Sequence, residues 1–244
     1  ITSGDNNVAV GHNSLLATTS GAGNIGIGAS AGGSLRDGTY NIAVGFQSLD
    51  ALQGDAGEAN IGHYNIAVGA DALGAIEGEH ASTEIDYNIA IGRKALLAGD
   101  LANNGVDFMN NIGKGRNAVG GTGGTSGVGL VGTIGIGHNA LSSLTNGAGN
   151  HVIGYEAMKT ATTEHSNTVF GSEAAKLMRH DSSDQNVIIG FQSCVAGTGA
   201  RTQNVVIGYR AWGNGGSQNN LGGSENVFIG SESGGGTWAT GASD

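Results

Sequence analysis

The chain has 244 residues, of which 48 are glycine and none is proline, and its formal net charge at pH 7 is −10. The acidic balance argues against a nucleic-acid partner, which requires a basic stripe, and the absence of proline excludes a collagen helix. The single cysteine, Cys194, excludes a disulfide framework and a cysteine-based metal site, and no apolar run approaches the roughly 20 residues that cross a membrane.

One short phrase recurs twelve times along the chain: Asn, usually a β-branched residue, a small or apolar residue, another apolar residue and Gly, with Ala or Ser three residues later. A fixed internal repeat predicts a solenoid, in which each copy is one turn that buries its apolar side chains against its neighbours. The copies begin at Asn7, Asn24, Asn41, Asn65, Asn88, Asn111, Thr133, Asn150, Asn167, Asn186, Asn204 and Asn226.

The three residues after each repeat Asn are predicted to form a short strand. In chain order the predicted strands are 8–10, 25–27, 42–44, 66–68, 89–91, 112–114, 134–136, 151–153, 168–170, 187–189, 205–207 and 227–229. The copies start 17 to 24 residues apart, which places the variation in loops between constant strands. We therefore predict an all-β fold, a parallel β-solenoid (β-roll or β-prism) of about 12 turns that forms a rod about 55 Å long.

The first and third strand residues are apolar in nearly every copy and are predicted to form the inner wall of the coil. The middle residue is Ala or Gly in the first seven copies and Val, Ile or Phe in the last five. A strand with one face in water would carry polar residues there. We therefore expect burial on both faces, once inside the coil and once against another copy, as in a homotrimer whose strands line the threefold axis.

The remaining positions of the repeat predict how each turn closes. The repeat Gly is expected at a positive φ, and the stacked Asn side chains are expected to hydrogen-bond along the rod. The second residue after the Gly is polar and is expected to face solvent, whereas the fourth, for example Leu49 or Leu73, is expected to turn inward.

Copy six departs from the pattern, because Lys114 occupies a predicted inner position and the Gly-rich segment 120–132 follows it. These features predict a bulge or kink that divides one continuous repeat domain. The expected organisation is turns one to six in 1–119, the interruption in 120–132 and turns seven to twelve in 133–244.

Three copies carry the resemblance to a known family most clearly: Asn41-Ile-Ala-Val-Gly-Phe-Gln-Ser-Leu49, Asn65-Ile-Ala-Val-Gly-Ala-Asp-Ala-Leu73 and Asn88-Ile-Ala-Ile-Gly-Arg-Lys-Ala-Leu96. They resemble the head repeats of trimeric autotransporter adhesins, and more closely the longer-period repeats of fibre proteins of tailed phages and other large viruses. The resemblance covers the chain from about Asn7 to Gly234. It implies a homotrimeric, left-handed parallel β-roll in a surface rod. The spacing of 17 residues or more departs from the adhesin heads, whose repeats are about 14 residues long, and favours the viral fibre.

Tyrosine precedes the repeat Asn in three consecutive copies, at Tyr40, Tyr64 and Tyr87. This spacing predicts a stacked aromatic ladder. One interpretation is a receptor- or glycan-binding surface. The alternative, which we favour, is that the stacked rings simply stiffen the coil.

The titratable residues give weaker signals. His151, at a predicted inward strand position, is either a candidate axial ion site in a trimer or a satisfied core histidine. The stretch from Asp50 to Asp107 holds 10 of the 20 acidic residues, which predicts either calcium-ordered loops or, as we favour, a solvated outer face. Cys194 is expected to be a small buried residue. We predict no catalytic residue, no cofactor and no bound metal.

These features predict a structural and attachment protein, not an enzyme. The first hypothesis is a segment of a virion fibre, in particular a phage tail fibre, that presents or forms a host-receptor-binding surface. The alternative is the head domain of a bacterial trimeric autotransporter adhesin on the cell surface. Expected partners are two further copies of the chain, other fibre or virion proteins and a cell-surface glycan, with no membrane insertion in this segment. A polysaccharide-cleaving solenoid and an ice-binding solenoid are disfavoured, because acidic residues lie in the loops and threonines are scattered.

Overall fold

The computed structural model describes residues 3–50, 62–74, 85–97, 107–120, 129–179, 183–195, 199–212 and 223–234. Within these ranges the chain is all-β and contains no helix, and so no helix that could span a membrane. The long strands are β1 (Val8–Val10), β2 (Ile25–Ile27), β3 (Ile42–Val44), β4 (Ile66–Val68), β5 (Ile89–Ile91), β6 (Ile112–Lys114), β7 (Ile134–Ile136), β8 (His151–Ile153), β9 (Thr168–Phe170), β10 (Val187–Ile189), β12 (Val205–Ile207) and β14 (Val227–Ile229). Two-residue strands β11 (Arg201–Thr202) and β13 (Gly223–Ser224) complete the set.

The twelve predicted strands form one parallel sheet in chain order, from β1 to β14. Each strand pairs in register with the next, so that Val8 lies opposite Ile25 and Val10 opposite Ile27. The backbone bonds between turns are regular: the N–H of Val8 donates to the Asn24 carbonyl at 2.8 Å, and that of Gly28 donates to the Val10 carbonyl at 2.8 Å. The predicted parallel β-solenoid is therefore confirmed, while the count of 12 complete turns stays a prediction because several connecting segments lie outside the described residues.

The core lies behind the middle residue of each strand, and our assignment of the two strand faces was wrong. Ala43, Val152 and Ile188 are fully buried in the coil, whereas the first and third residues of every strand point outward. The inward residue packs against the large corner residue of the preceding turn. A β-carbon on Gly26 would lie 2.9 Å from Leu15 Cγ, and one on Gly113 would lie 2.8 Å from Leu96 Cγ. At these two turns the corner leucine leaves no room for a larger strand residue.

In several copies the sizes of the middle strand residue and of the corner residue compensate each other. Six of the seven copies with Ala or Gly in the strand have a large corner residue such as Leu49. Where the strand contributes Val169 or Phe228, the corner residue is Ala175 or Gly234, and a β-carbon on Gly234 would meet the Phe228 ring. Copies eight and eleven do not follow this pattern, because Val152 and Val206 occur with the large corner residues Met158 and Trp212.

The repeat glycines form a second column that fixes the distance between turns. Their φ values lie between 124° and 153°, as expected from the sequence. A β-carbon on Gly69 would lie 2.7 Å from the carbonyl carbon and oxygen of Gly92, the glycine of the next turn. Any larger residue in this column would therefore push neighbouring turns apart or break their backbone hydrogen bonds.

The asparagine ladder is also confirmed. Asn65, for example, is fully buried, and its side-chain amide donates to Asn41 Oδ1 at 3.1 Å and to the Ile85 carbonyl at 2.7 Å. Its own Oδ1 accepts from both the backbone N–H and the side-chain amide of Asn88 at 3.0 Å. Each buried amide is therefore satisfied on both sides along the rod axis.

The sheet continues through copy six without a change of register. Strand β6 pairs one to one with β5 and with β7, and Lys114 lies opposite Ile91 and Ile136. Lys114 is exposed on the outward side of the strand, so the predicted inner position is corrected. Residues 121–128 of the expected interruption lie outside the described residues, and the division into 1–119, 120–132 and 133–244 stays a prediction.

Candidate functional site

The outward residues of the twelve strands form a continuous apolar surface, which we call the outer sheet face. It consists of the first and third residue of each strand, and only Lys114, His151 and Thr168 among them are not apolar. Large side chains are open to solvent here: Val10 and Phe170 are each 56% exposed and Ile229 is 66% exposed. No acidic residue occurs on this face, although the chain carries a net charge of −10.

The outer sheet face is large for a soluble surface. Twelve strands spaced about 4.8 Å apart give a length of about 50 Å, and three residues per strand give a width of about 10 Å, or about 500 Å² in projection. The largest apolar patch on a monomeric protein measures about 300–600 Å² and is commonly functional. Because side chains project from the sheet, the accessible apolar area exceeds this flat footprint.

The three predicted tyrosines are brought together as a stacked ladder beside this face. The ring centroids of Tyr40 and Tyr64 are 5.3 Å apart with an interplanar angle of 14°, and those of Tyr64 and Tyr87 are 5.2 Å apart at 1°. All three residues are exposed and share a φ of 57° to 58°. The stacking prediction is confirmed.

The geometry of the ladder limits what the tyrosines can do. Both faces of the Tyr64 ring are covered by its neighbours, and the outer face of Tyr40 lies over Gly23, where a β-carbon would be 2.7 Å from the ring. For Tyr40 and Tyr64, the exposed parts are therefore ring edges and phenol hydroxyls. Along these two rings a ligand would meet hydrogen-bonding hydroxyls about 5 Å apart and not open aromatic faces.

A second row flanks the opposite edge of the outer sheet face, at the residue directly after each repeat glycine. His138 stacks on Tyr155 with centroids 5.5 Å apart, and Phe191 stacks on Tyr209 at 5.8 Å. In copies five and six the same row carries Arg93 and Arg116, both exposed. Sequence reasoning noted the aromatic members of this row but missed that charged members of adjacent copies stand side by side.

An ion-paired network lies further along the turn, at the polar position two residues after the glycine. Lys176 Nζ is 2.7 Å from Glu156 Oε2 and 2.9 Å from Glu173 Oε1, and Lys159 Nζ is 2.9 Å from Glu156 Oε1. The bonds from Lys176 and then Lys159 lower the pKa of Glu156 to about 2. The amide of Gln192, followed by Lys176, lowers the pKa of Glu173. Glu156 is buried, so the prediction that the second residue after the repeat glycine faces solvent is wrong for this copy.

The other predicted residues fall in different places. His151 is exposed on the outer sheet face, so the predicted inward position is wrong. Cys194 is buried as expected. Burial raises the pKa of its thiol, and the positive charge of Arg201 offsets part of that increase. Burial also raises the pKa of Asp50, with a smaller contribution from the charge of Asp71.

The described part of the chain gives no support to the metal and calcium hypotheses. The described residues contain no group of three or more His, Cys, Asp or Glu side chains that could hold a metal ion. Much of the acidic stretch from Asp50 to Asp107 lies outside the described residues, and its calcium hypothesis stays a prediction.

No protein-family model, curated protein or solved structure matches the chain. The function must therefore be argued from the outer sheet face and from the two rows of side chains that flank it.

Proposed function

We propose that the chain is a segment of a homotrimeric attachment fibre on a virion, in particular a phage tail fibre, and that three copies pack through their outer sheet faces. The observation that supports this proposal is the outer sheet face itself, a strip that runs along all twelve strands and is apolar except at Lys114, His151 and Thr168. Leaving it in water would forgo about 25 cal/mol for each Å² of apolar surface that a partner could cover.

A second copy of the chain is the partner that fits best. The strip is long, straight and only three residues wide, so its complement must be an equally long and narrow apolar surface. Another copy in the same orientation supplies one with the same spacing between turns. Because side chains project from the sheet, the area that a partner covers exceeds the flat footprint of about 500 Å² per chain and approaches the roughly 800 Å² per partner of stable interfaces.

Threefold symmetry suits a strip with two columns of side chains. Around a threefold axis, the column of first strand residues of one copy faces the column of third strand residues of the next. Each apolar column is then covered once, and the ring closes. The acidic charge stays on the outer surface, where it keeps the rod soluble.

The rod's role is mechanical support and display. Close glycine packing, and buried asparagine amides except at Thr133, join neighbouring turns, so the coil resists being pulled apart locally. In this proposal the hydroxyl row of Tyr40, Tyr64 and Tyr87 contacts a cell-surface glycan. Three copies around the axis would offer three such rows and bind by avidity.

Light scattering on the full chain tests the assembly. We expect a mass near three times 24.1 kDa. The variant Ile91→Glu/Ile189→Glu places charges on the outer sheet face and should give monomers, because desolvating unpaired carboxylates is costly. The control variant Leu16→Glu/Leu177→Glu makes the same chemical change at exposed leucines off that face and should remain trimeric. A monomeric wild-type chain, or a trimer that tolerates the Ile variants, would refute the proposal.

The glycan contact is tested separately with immobilised bacterial surface polysaccharides. Tyr40→Phe/Tyr64→Phe/Tyr87→Phe keeps the stacked rings and removes the hydroxyls, so binding should be lost while the trimer mass is unchanged. Tyr209→Phe, in the opposite row, is the control and should bind normally. Equal binding by the triple variant would remove the tyrosine row from the receptor surface.

A further inference from the structure

Four basic residues gather in copies five and six of an otherwise acidic chain. Arg93 and Arg116 each follow the repeat glycine, and the pairing of Ile91 with Lys114 places the two arginines at equivalent positions on adjacent turns, about 4.8 Å apart along the rod. Lys114 is the outward third residue of β6, two residues before Arg116. Arg93, Lys114 and Arg116 are exposed, and Lys94 beside them is half-buried.

Elsewhere in the described part of the chain, like charges on adjacent turns are bridged by an ion pair. Glu156 and Glu173 also occupy equivalent positions on adjacent turns, and Lys176 bridges them at 2.7 and 2.9 Å. By contrast, the salt bridges of the described residues include none from the four basic side chains. The nearby Asp86 accepts the backbone N–H of His63 at 2.7 Å. Asp71 occupies the position equivalent to Lys94 on the preceding turn, and the two arginines form no ion pair within the described residues.

A row of exposed like charges on adjacent turns suits an anionic ligand. We propose that Arg93 and Arg116, with Lys94, bind an anionic polysaccharide that carries carboxylate or sulfate groups, whereas Lys114 lies on the outer sheet face that the proposed trimer covers. The basic side chains lie in the open along the rod axis, which suits an extended polymer laid on the surface. Guanidinium groups bind carboxylate and sulfate-like oxygens through paired N–H donors. This proposal goes beyond the trimeric rod, because the cluster is complete on one chain.

The net charge of −10 does not prevent such binding. At physiological ionic strength the screening length is about 8 Å, so acidic residues several turns away contribute little at the cluster. Within the described residues, the local charge combines the four basic side chains of two adjacent turns with Asp71 on the preceding turn, and is therefore positive. Binding should therefore be specific to this patch and should weaken as salt is added.

The experiment is fluorescence anisotropy with the full chain and labelled alginate and heparin oligosaccharides, which carry carboxylate and sulfate groups. Neutral dextran is the reference. Wild-type chain should bind both anionic probes and not dextran. Arg93→Gln/Arg116→Gln should weaken binding at least about tenfold. Arg36→Gln/Arg179→Gln removes the same charge from exposed arginines outside the cluster and should change affinity less than about twofold. Circular dichroism melts confirm that both variants fold.

Three results would overturn the proposal. The first is a wild-type chain that binds neither anionic probe, which would mean that the counter-charge comes from the chain itself or from solvent. The second is equal weakening by the cluster variant and the control variant, which would assign binding to overall charge. The third is duplex DNA binding as tightly as the glycans and with the same dependence on Arg93 and Arg116, which would assign the cluster to another class of polyanion.

Discussion

Thr133 interrupts the asparagine ladder, and restoring Asn there should stabilise the protein. The Thr133 hydroxyl donates to the Gly147 carbonyl at 3.0 Å, so it keeps one of the bonds that an Asn makes. It has no amide to donate to Asn111 Oδ1, which receives only the backbone N–H of Thr133. In the described structure it also offers no bond to Asn150, whose amide donates to the Gly147 and Glu164 carbonyls instead.

Thr133→Asn should add up to three hydrogen bonds in a fully buried position. One new bond runs to Asn111 Oδ1, and two come from the backbone N–H and the side-chain amide of Asn150. At about 0.5–1.5 kcal/mol each, less about 1 kcal/mol for ordering the longer side chain, the expected gain is about 1–3 kcal/mol. The change needs no new space, because Asn fills the same position in the other copies.

The reverse change, Asn88→Thr, should cost more than Thr133→Asn gains. It removes the amide bond to Asn65 Oδ1 at 3.0 Å and leaves the backbone N–H and amide of Asn111 without their acceptor. Buried groups left unsatisfied cost about 1–3 kcal/mol each, so we expect a loss of about 3–5 kcal/mol. Asn226→Thr is the matched control, since the described ladder ends at Asn226 and no later copy there donates to it.

The assay is guanidinium unfolding followed by circular dichroism, with all variants at one protein concentration so that assembly does not shift the midpoints. Thr133→Asn should move the midpoint up, and Asn88→Thr should lower it by more than twice the effect of Asn226→Thr. A neutral or destabilising Thr133→Asn, together with equal costs for Asn88→Thr and Asn226→Thr, would refute the view that the ladder stabilises the coil through paired amides.

Three further predictions follow from the same structure. Gly69→Ala should lower the free energy of unfolding by about 3–5 kcal/mol or prevent folding, because its β-carbon would lie 2.7 Å from the Gly92 carbonyl. Gly132→Ala is the control: with φ of 64° and nothing within 4 Å of the added carbon, it should cost only about 1–2 kcal/mol in the same assay. Lys176→Met should lower the thermal midpoint at pH 7, because the bond from Lys176 lowers the folded pKa of Glu156 to about 2, below its usual value. This stabilisation is present above about pH 5 and is lost as pH falls towards 2, so the difference in midpoint between the variant and wild type should disappear there. Lys94→Met, outside any described ion pair, is the control and should show no such pH-dependent difference. Cys194 should resist a thiol reagent in the native protein and react fully in guanidinium, and rapid native labelling would contradict its burial.

The strand positions were predictable because the repeat fixes them directly. The Asn that starts each copy and the Gly that ends it have backbone roles that only those residues fill well, so every long strand falls where the sequence places it. The tyrosine ladder follows from the same register, because residues at equivalent positions of a solenoid stack. The covered ring faces could not be predicted, since they depend on the left-handed backbone before each Asn and on the contact of Tyr40 with Gly23.

The inner and outer strand faces were not predictable from periodicity alone. Alternation shows which residues share a face, but it does not say which face is inside. Size pairing carries part of that information, since Phe228 occurs with Gly234 and Val169 with Ala175, although Val152 and Val206 keep large corner residues. Lys114 and His151 at outward positions are a second signal, because an unpaired charge or imidazole is better tolerated outside a narrow coil.

Exchanging the two faces strengthens the argument for self-association. Had the Ala and Gly residues faced outward, neighbouring copies would have met through side chains with little apolar area, and close packing would have required backbone contact. The outward residues are instead Ile and Val in most copies, which bury far more surface and have few rotamers to lose. A coil already filled by corner leucines gains nothing from these side chains, because they do not touch its core. The proposed trimer would cover these side chains, because a parallel copy matches their spacing turn for turn.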